Sequence, residues 1–285
     1  MTQLVNTTIC IIGAGTMGSG IAQVAAQSGF ATILFDINEE VLNKAKSYIQ
    51  KSLQFLIDKE KISAEESKTI FGRIQFTSDI NQCTAGIFIE AIIEKTEPKV
   101  DIFNKLAAIN KEDVIFASNT SSLSISAIQK HIIHPQRMAG LHFFNPAPVM
   151  KLVEVVKGDQ TSDATIETLY GLCKQLNKVP VSCKDAPGFI VNRVARPYYL
   201  EAMKLVEEGI ATYETADAIM EAAGFKMGPF KLMDLIGMDV NLAVSKSIYE
   251  AFDHAPRFEP SPVQIEKVNK GELGKKTGKG FYNYS

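Results

Sequence analysis

A histidine and a glutamate near the middle of the chain have the residue types and the spacing of an acid–base pair. His142 follows the apolar run RMAGL and precedes two aromatic residues and a prolyl turn, so the sequence predicts an imidazole at a strand end. Glu154 lies twelve residues later inside the apolar run LVEVV, where a carboxylate is costly unless it is paired. A return of the chain through NPAPVMK would bring Glu154 against His142 and hold the imidazole in one tautomer. Such a pair could accept and return a proton, although each residue also has a structural interpretation, as a hydrogen-bonding histidine and as an edge-strand acid.

A glycine pattern near the N-terminus predicts a dinucleotide site. Gly13, Gly15 and Gly18 form G-x-G-x-x-G directly after the apolar run ICII, and a helix is expected over Met17–Ser28. The first glycine allows a tight turn, the second lets the backbone approach a pyrophosphate, and the third lets the helix pack closely on the strand. The pyrophosphate would lie against the N-terminus of that helix. The cofactor-binding residues predicted in this motif are Gly13, Gly15, Thr16, Met17 and Gly18.

An acidic residue at the end of the next apolar run, ATILFD, indicates which dinucleotide is bound. Asp36 can accept hydrogen bonds from both hydroxyls of the adenosine ribose, and its charge would repel a 2′-phosphate. No arginine or lysine follows until Lys44, so the sequence favours NAD over NADP.

Composition and charge exclude several other classes of protein. The length of 285 residues suggests about two domains, and 46% hydrophobic residues are sufficient for their cores. Thirty basic and 32 acidic side chains leave a net charge of −2, so no nucleic acid partner is indicated. The N-terminus lacks the pattern of a signal peptide, and no apolar stretch is long enough to cross a bilayer. The sequence therefore predicts a soluble, cytoplasmic protein with no membrane partner.

Neither disulfides nor a metal site are expected. The cysteines lie in apolar segments without C-x-x-C spacing, which is typical of reduced core residues; they are Cys10, Cys83, Cys173 and Cys183. His131 and His134 are close in sequence, but no cysteine or carboxylate joins them at the spacing of metal ligands.

The remaining pattern of the first two thirds is that of an α/β protein. Short apolar runs such as GIFIEAI, VIFASN, RMAGLHFF, LVEVV and VPVS alternate with amphipathic helical stretches. Together with the glycine motif, this alternation predicts a Rossmann-type, mainly parallel sheet with helices on both faces. A long polar helical stretch over 39–71, interrupted near Ser63, is too long for one crossover and predicts an inserted helical hairpin. The hairpin is either a solvated decoration or a wall of a substrate cleft that carries Ser52, Lys59 and Lys61.

After the segment KDAPGF the strand signal ends and only helical patterns follow. We predict a dinucleotide-binding domain over 1–184 and an all-helical C-terminal domain over 185–285. Pro197 should kink or divide the first of its helices. The helices are expected at 190–209, 213–223, 231–254 and 262–270.

The chain resembles the L-3-hydroxyacyl-CoA dehydrogenase family along essentially its whole length, and in particular the short bacterial 3-hydroxybutyryl-CoA dehydrogenases. The segments that carry the resemblance are GAGTMGSGIAQ, FASNTSSLSI, GLHFFNPAPVMKLVEVV, PGFIVNR and GPFKLMDLIGMDV. The resemblance implies that His142 is the catalytic base, that Glu154 is its partner, and that Ser121 and Asn192 contact the substrate. The cofactor contacts that it implies on the nicotinamide side are Glu94, Lys99 and Asn145, Lys276 is a further cofactor-binding residue, and the coenzyme A contacts are Ser52 and Lys59.

The activity implied is NAD-dependent oxidation of a (S)-3-hydroxyacyl-CoA, with 3-hydroxybutyryl-CoA expected, and reduction of the 3-ketoacyl-CoA in reverse. The resemblance also implies a homodimer formed through the C-terminal domain. One alternative is a hydrolase, because Ser121 or Ser122 with His142 and Glu154 has the composition of a catalytic triad, but the sequence lacks a G-x-S-x-G elbow. A second alternative is a non-catalytic NAD-binding protein, since a fold alone does not give a function.

Overall fold

The computed structural model describes residues 7–284, which form two compact units that divide between Ala186 and Pro187. All named strands of the described residues lie in the first unit, and the second unit is helical apart from isolated bridges near its end. The predicted fold class is confirmed, both in the Rossmann-type sheet and in the helical C-terminal part.

The first unit is built on a single sheet. Its strands are β1 (Ile9–Ile12), β2 (Thr32–Phe35), β3 (Ile74–Thr77), β4 (Ile87–Glu90), β5 (Ile115–Ser118), β6 (Met138–Phe143), β7 (Leu152–Lys157) and β8 (Val179–Lys184). Their order is β3-β2-β1-β4-β5-β6-β7-β8, and every neighbouring pair is parallel except β6 and β7. The order reverses direction at β1 and β4, so the loops that follow these strands lie where open α/β sheets bind ligands.

Helices cover both faces of the sheet, which is why its strands are apolar in consecutive positions. The helices of this unit are α1 (Thr16–Gln27), α2 (Glu39–Asp58), α3 (Ala64–Gly72), α4 (Thr96–Ile109), α5 (Ile125–Gln129) and α6 (Asp163–Gln175). In β1, Ile9 and Ile11 pack into the apolar layer that contains α1, whereas Cys10 and Ile12 pack into the opposite layer. The alternation follows from the two-residue period of a strand.

Helices α2 and α3 form the predicted inserted hairpin. The side chain of Ser63 accepts a hydrogen bond from the Glu66 amide at 3.1 Å and so begins a new helix where the first has ended. One face of α2 is buried against the core of the unit, at Leu42, Ala45, Ile49 and Leu53. This three-to-four-residue spacing is that of an amphipathic helix that packs by a single stripe.

The second unit contains five α-helices among the described residues. They are α7 (Val191–Glu207), α8 (Tyr213–Ala222), α9 (Pro229–Ile236), α10 (Met238–Ala251) and α11 (Pro262–Asn269). Their shared core includes Met203, Phe230, Met233, Met238 and Phe281, all buried.

Two details of this unit differ from the predictions. The helix expected over 231–254 is two helices, because Gly237 adopts φ +101°, which a continuous helix does not contain. Helix α9 also begins earlier than expected, at Pro229, whose fixed φ suits the first position of a helix. Helix α7 continues through Pro197 undivided, so of the two predicted outcomes, a kink or a division, the division does not occur. In residues 7–284, no helix is both long and apolar enough to span a membrane.

Candidate active site

Strands β6 and β7 bring His142 and Glu154 together. The chain turns back between them, and their antiparallel register pairs His142 directly with Glu154. Nδ1 of His142 lies 2.7 Å from Oε2 of Glu154, and the two residues are only 6% and 1% exposed. A buried carboxylate at this distance accepts a hydrogen bond from Nδ1. In the neutral imidazole the proton is then on Nδ1, and Nε2 carries the lone pair that a general base needs.

The turn that follows His142 is fixed by residues outside β6 and β7. The Phe143 amide donates to Oδ1 of Asn119 at 2.8 Å, which ties the end of β6 to the loop after β5. The buried ammonium of Lys178 donates to the carbonyls of Ala147 and Met150 at 2.6 and 2.8 Å. Burial, together with the nearby charge of Lys151, lowers the pKa of Lys178 to about 8. No pattern in the sequence indicated that Asn119 and Lys178 hold this turn.

The glycine motif folds as the tight turn and close helix that its pattern predicts. Gly13 has φ +100°, and a Cβ there would lie 2.7 Å from the carbonyl oxygen of Ala91. A Cβ on Gly18 would lie 1.7 Å from the carbonyl oxygen of Gly13, so no larger residue fits between α1 and β1. A Cβ on Gly15 would meet no atom within 4 Å. The turn therefore leaves open space at Gly15, where the N-terminus of α1 can receive a phosphate.

Asp36 is bound to the same turn. Its Oδ2 accepts from the Ala14 amide at 2.8 Å, and its Oδ1 accepts from the Asn38 amide at 3.0 Å. Asp36 thus orders the glycine turn. The ribose contact predicted for Asp36 stays a prediction.

A second buried carboxylate, Glu90, lies at the carboxyl end of β4 and was missed by the sequence analysis. Its Oε1 accepts from the ammonium of Lys99 at 2.6 Å and from the Ile92 amide at 2.7 Å. Its Oε2 accepts from the hydroxyl of Ser118 at 2.6 Å. Glu90 and Lys99 are 0% and 1% exposed. The sequence did carry a signal for Glu90, since an acid in the apolar run GIFIE has the same pattern as Glu154 in LVEVV.

Lys99 joins Glu90 to Glu94, which lies in the loop after β4. The ammonium of Lys99 is 3.2 Å from Oε2 of Glu94. Oε1 of Glu94 accepts from the hydroxyl of Thr120 at 2.6 Å and from the amides of Ser121 and Ser122 at 2.9 and 3.2 Å. Although burial raises the pKa of Glu94, the Lys99 charge and these hydrogen bonds outweigh it and hold the pKa below its ordinary value. Glu94 is therefore an anion bound to the loop that carries Ser121.

The other predicted site residues lie on separate elements. Ser52 and Lys59 are seven residues apart on or just after α2, which places them on one face of that helix. Asn145 is exposed in the turn between β6 and β7. Asn192 and Lys276 belong to the helical unit, where the ammonium of Lys276 is 2.5 and 2.6 Å from the carboxylate oxygens of Asp239. Their proposed contacts with cofactor and substrate stay predictions.

The residues of the first unit fit a dinucleotide, and the described residues contain no cluster suited to a metal. The open space at Gly15, the N-terminus of α1 and the acid at position 36 match a pyrophosphate followed by a ribose. No group of three or more histidine, cysteine, aspartate or glutamate side chains in residues 7–284 could hold a metal ion.

Family models of one enzyme family match both units. A family model described as the NAD binding domain of 3-hydroxyacyl-CoA dehydrogenase matches residues 8–186, and one described as the C-terminal domain of that enzyme matches residues 188–284.

Individual relatives cover nearly the whole chain. The 3-hydroxyadipyl-CoA dehydrogenase of Escherichia coli K12 is 47% identical over 97% of this chain and 59% of its own length. The crystal structure of a 3-hydroxybutyryl-CoA dehydrogenase from E. coli K12 matches with a TM-score of 0.94 at 47% identity, over 99% of this chain and 60% of that one. This chain thus spans less than two thirds of these E. coli proteins. A probable 3-hydroxybutyryl-CoA dehydrogenase of Deinococcus radiodurans is 42% identical over 96% of this chain and 99% of its own length. The resemblance expected from the sequence is confirmed, and the chain belongs to the 3-hydroxyacyl-CoA dehydrogenase family.

Proposed function

We propose that this protein oxidises (S)-3-hydroxyacyl-CoA to 3-ketoacyl-CoA with NAD, and catalyses the reverse reduction, using His142 and Glu154 as the acid–base pair. The observation that carries the proposal is the 2.7 Å contact between Nδ1 of His142 and the Glu154 carboxylate, both buried within the family's NAD-binding unit. The family relationship supports the choice of cofactor and substrate class. The contact between His142 and Glu154 supports the assignment of the residue that transfers the proton.

The cofactor is held by the glycine turn, the first residues of α1 and Asp36. When bound, NAD supplies the acceptor for the hydride that leaves C3 of the substrate. On the nicotinamide side we assign Glu94, Lys99 and Asn145, and we assign Lys276 as a further cofactor-binding residue. Glu94 is supported by its position in the loop after β4, close to the glycine turn, since Ala91 of the same loop lies against Gly13.

His142 moves the proton. In the oxidising direction Nε2 accepts the proton of the C3 hydroxyl while Nδ1 keeps its hydrogen bond to Glu154. The carboxylate then stabilises the imidazolium that forms, because an opposite charge at hydrogen-bonding distance favours the charged ring. In reduction the imidazolium returns the proton, so the same pair serves both directions. Ser121 and Asn192 are proposed to contact the substrate.

Coenzyme A is proposed to contact the hairpin through Ser52 and Lys59. Two turns of helix separate them by roughly 10 Å along one face of α2, at about 1.5 Å per residue, so they can contact different parts of one extended ligand. For the acyl group we propose 3-hydroxybutyryl-CoA and acetoacetyl-CoA. The names of the relatives include both a four-carbon and a six-carbon dicarboxylic substrate. A profile of kcat/KM against acyl-chain length, with 3-hydroxyadipyl-CoA included, tests this choice.

One assay separates the proposed activity from the two alternatives. Acetoacetyl-CoA is mixed with NADH, and the loss of reduced-nicotinamide absorbance is followed beside the release of free thiol. A dehydrogenase consumes NADH without releasing thiol. A hydrolase releases coenzyme A in the absence of NADH, and a non-catalytic binding protein does neither although it binds NADH. Either of the last two results would overturn the proposal.

The proposal also includes a cellular location and an oligomeric state. We place the protein in the cytoplasm, in keeping with its four free cysteine thiols. We also propose a homodimer formed through the helical unit, which carries exposed apolar side chains at Val194, Leu235 and Val240. Light scattering tests the dimer, and replacement of Leu235 by a charged residue should shift the particle towards a single chain if the surface is correct.

A further inference from the structure

Glu90 is a fully buried carboxylate that the proposed mechanism does not use. It accepts hydrogen bonds from three different segments, through the ammonium of Lys99, the amide of Ile92 and the hydroxyl of Ser118. Burial raises the pKa of Glu90 above its ordinary value, and this effect exceeds the opposing influence of Lys99. The burial of this carboxylate does not by itself indicate a stabilising role, because apolar residues of similar volume often stabilise a core as well as a buried ion pair does.

Two partners of Glu90 lie in or next to the loops after β4 and β5, which carry Glu94 and Ser121 of the proposed site. Through the Ile92 amide, Glu90 fixes the loop after β4, and Ala91 of that loop packs against Gly13 of the glycine turn. Through Ser118, Glu90 reaches the loop after β5, since the Ser118 hydroxyl also accepts from the Thr120 amide at 3.3 Å. Glu90 is thus hydrogen-bonded to the loop that contacts the glycine turn and, through Ser118, is connected to the loop that carries Ser121.

The third partner of Glu90 sets the charge balance beside Glu94. The Lys99 ammonium lies 2.6 Å from Glu90 and 3.2 Å from Glu94, so one positive charge is shared between two carboxylates. Without the charge of Glu90, Lys99 would be drawn to Glu94 alone. It would then compete with the donors from Thr120 and Ser121 that now hold Oε1 of Glu94.

We infer that Glu90 is a positioning residue of the cofactor site, which acts through Lys99 to keep the Glu94 carboxylate directed at the loop that carries Ser121. The inference rests on the proposed function, because it assumes that NAD binds beside Glu94. Glu90 itself is not assigned any contact with the cofactor or the substrate.

The test is Glu90→Gln, which keeps the shape of the side chain and removes its charge. The dissociation constant of NADH is measured from the change in nucleotide fluorescence on binding, together with the melting temperature and the kinetic parameters. We expect NADH affinity to fall by about tenfold, the effect of breaking one coupled hydrogen-bond and charge network. Glu167→Gln is the matched control, since Glu167 is an exposed glutamate on α6, and it should leave the affinity unchanged.

Two further variants keep the inference falsifiable. Ser118→Ala removes one hydrogen bond of Glu90 without changing any charge and should weaken NADH binding in the same direction but less. In a Glu94→Gln background, the additional effect of Glu90→Gln on NADH affinity should largely disappear, because Glu90 acts on the cofactor through Glu94. An effect that persists in full in that background would overturn the inference.

A purely structural Glu90 gives a different result, in which Glu90→Gln lowers the melting temperature and leaves the NADH dissociation constant at the wild-type value. This outcome overturns the positioning role alone. Failure of the wild-type protein to bind NADH would overturn the proposed function and the positioning role together.

Discussion

Both units of this protein bury carboxylates, but they satisfy them in different ways. In the sheet unit, Glu90 and Glu154 each contact a side chain that can carry a proton, Lys99 or His142. In the helical unit, Asp217 and Asp234 are equally buried, and their described partners are backbone amides and tyrosine hydroxyls. The same chemical group therefore contacts a titratable side chain in one unit and joins distant parts of the chain in the other.

The helical unit uses its carboxylates to fasten the end of the chain. Asp234 accepts from the amides of Phe281 and Tyr282 at 3.0 Å each and from the hydroxyl of Tyr284 at 2.9 Å. Burial and the adjoining Asp217 raise the pKa of Tyr282 far above its ordinary value, so this hydroxyl stays protonated and donates to Asp217. Because these donors do not titrate near neutral pH, the cluster fixes structure without exchanging protons. Substitutions in the two units should accordingly separate turnover from stability.

The largest expected effect is on turnover, from the sheet unit. His142→Gln should lower kcat by about 10²–10⁴-fold, the usual contribution of a positioned general acid–base group, because glutamine cannot accept and return the proton. NADH binding and the melting temperature should stay near the wild-type values. Steady-state kinetics and fluorescence titration measure both, and a near-normal kcat would remove His142 from the mechanism.

Glu154→Gln should have the next largest effect, a reduction of kcat by about 10²-fold, which is the lower end of the same range. The glutamine keeps a hydrogen bond to Nδ1 but no longer stabilises the imidazolium. NADH affinity is measured in parallel and should change little. If the variant loses its fold instead of its turnover, Glu154 belongs with the aspartates of the helical unit and the comparison fails.

Asp234→Asn should show the opposite pattern, with a loss of stability and little change in turnover. The amide group of asparagine turns one acceptor into a donor that faces other donors, so the free energy of unfolding should fall by about 3 kcal/mol, at the upper end for a hydrogen bond to a charged group. Urea unfolding measures this loss, and kcat per folded molecule should stay within about twofold. A variant with normal stability and depressed turnover would show that this cluster is not a structural fastening.

The smallest expected effect comes from Tyr284→Phe, which deletes one hydroxyl bonded to Asp234 and leaves the aromatic ring. The free energy of unfolding should fall by about 1 kcal/mol, the net worth of a single hydrogen bond. Thermal unfolding beside the wild-type protein measures the difference. A loss as large as that of Asp234→Asn would mean that the hydroxyl, and not the two amides, carries most of the fastening.

Much of the fold was predictable because it is encoded by local patterns. Consecutive apolar residues mark strands that are covered on both faces, and the glycine spacing marks a turn whose close contacts exclude any side chain at Gly18. The break at Ser63 was visible because a serine that caps a helix has a local signature. The division at Gly237 was missed, since the apolar pattern runs through it and only the backbone angle shows the break.

For the candidate site, the residue types could be predicted from the amino-acid sequence: a strand-end histidine, an acid in an apolar strand and an acid after the second strand. The tertiary structure decided how they combine. The register of β6 on β7 sets Glu154 opposite His142, and the adjacency of β4 and β5 sets Glu90 opposite Ser118. The Asp234 fastening joins residues 47 to 50 positions apart in the chain. Local propensity fixes which element a residue occupies, whereas such pairings depend on how distant elements pack, and no local pattern contains that information.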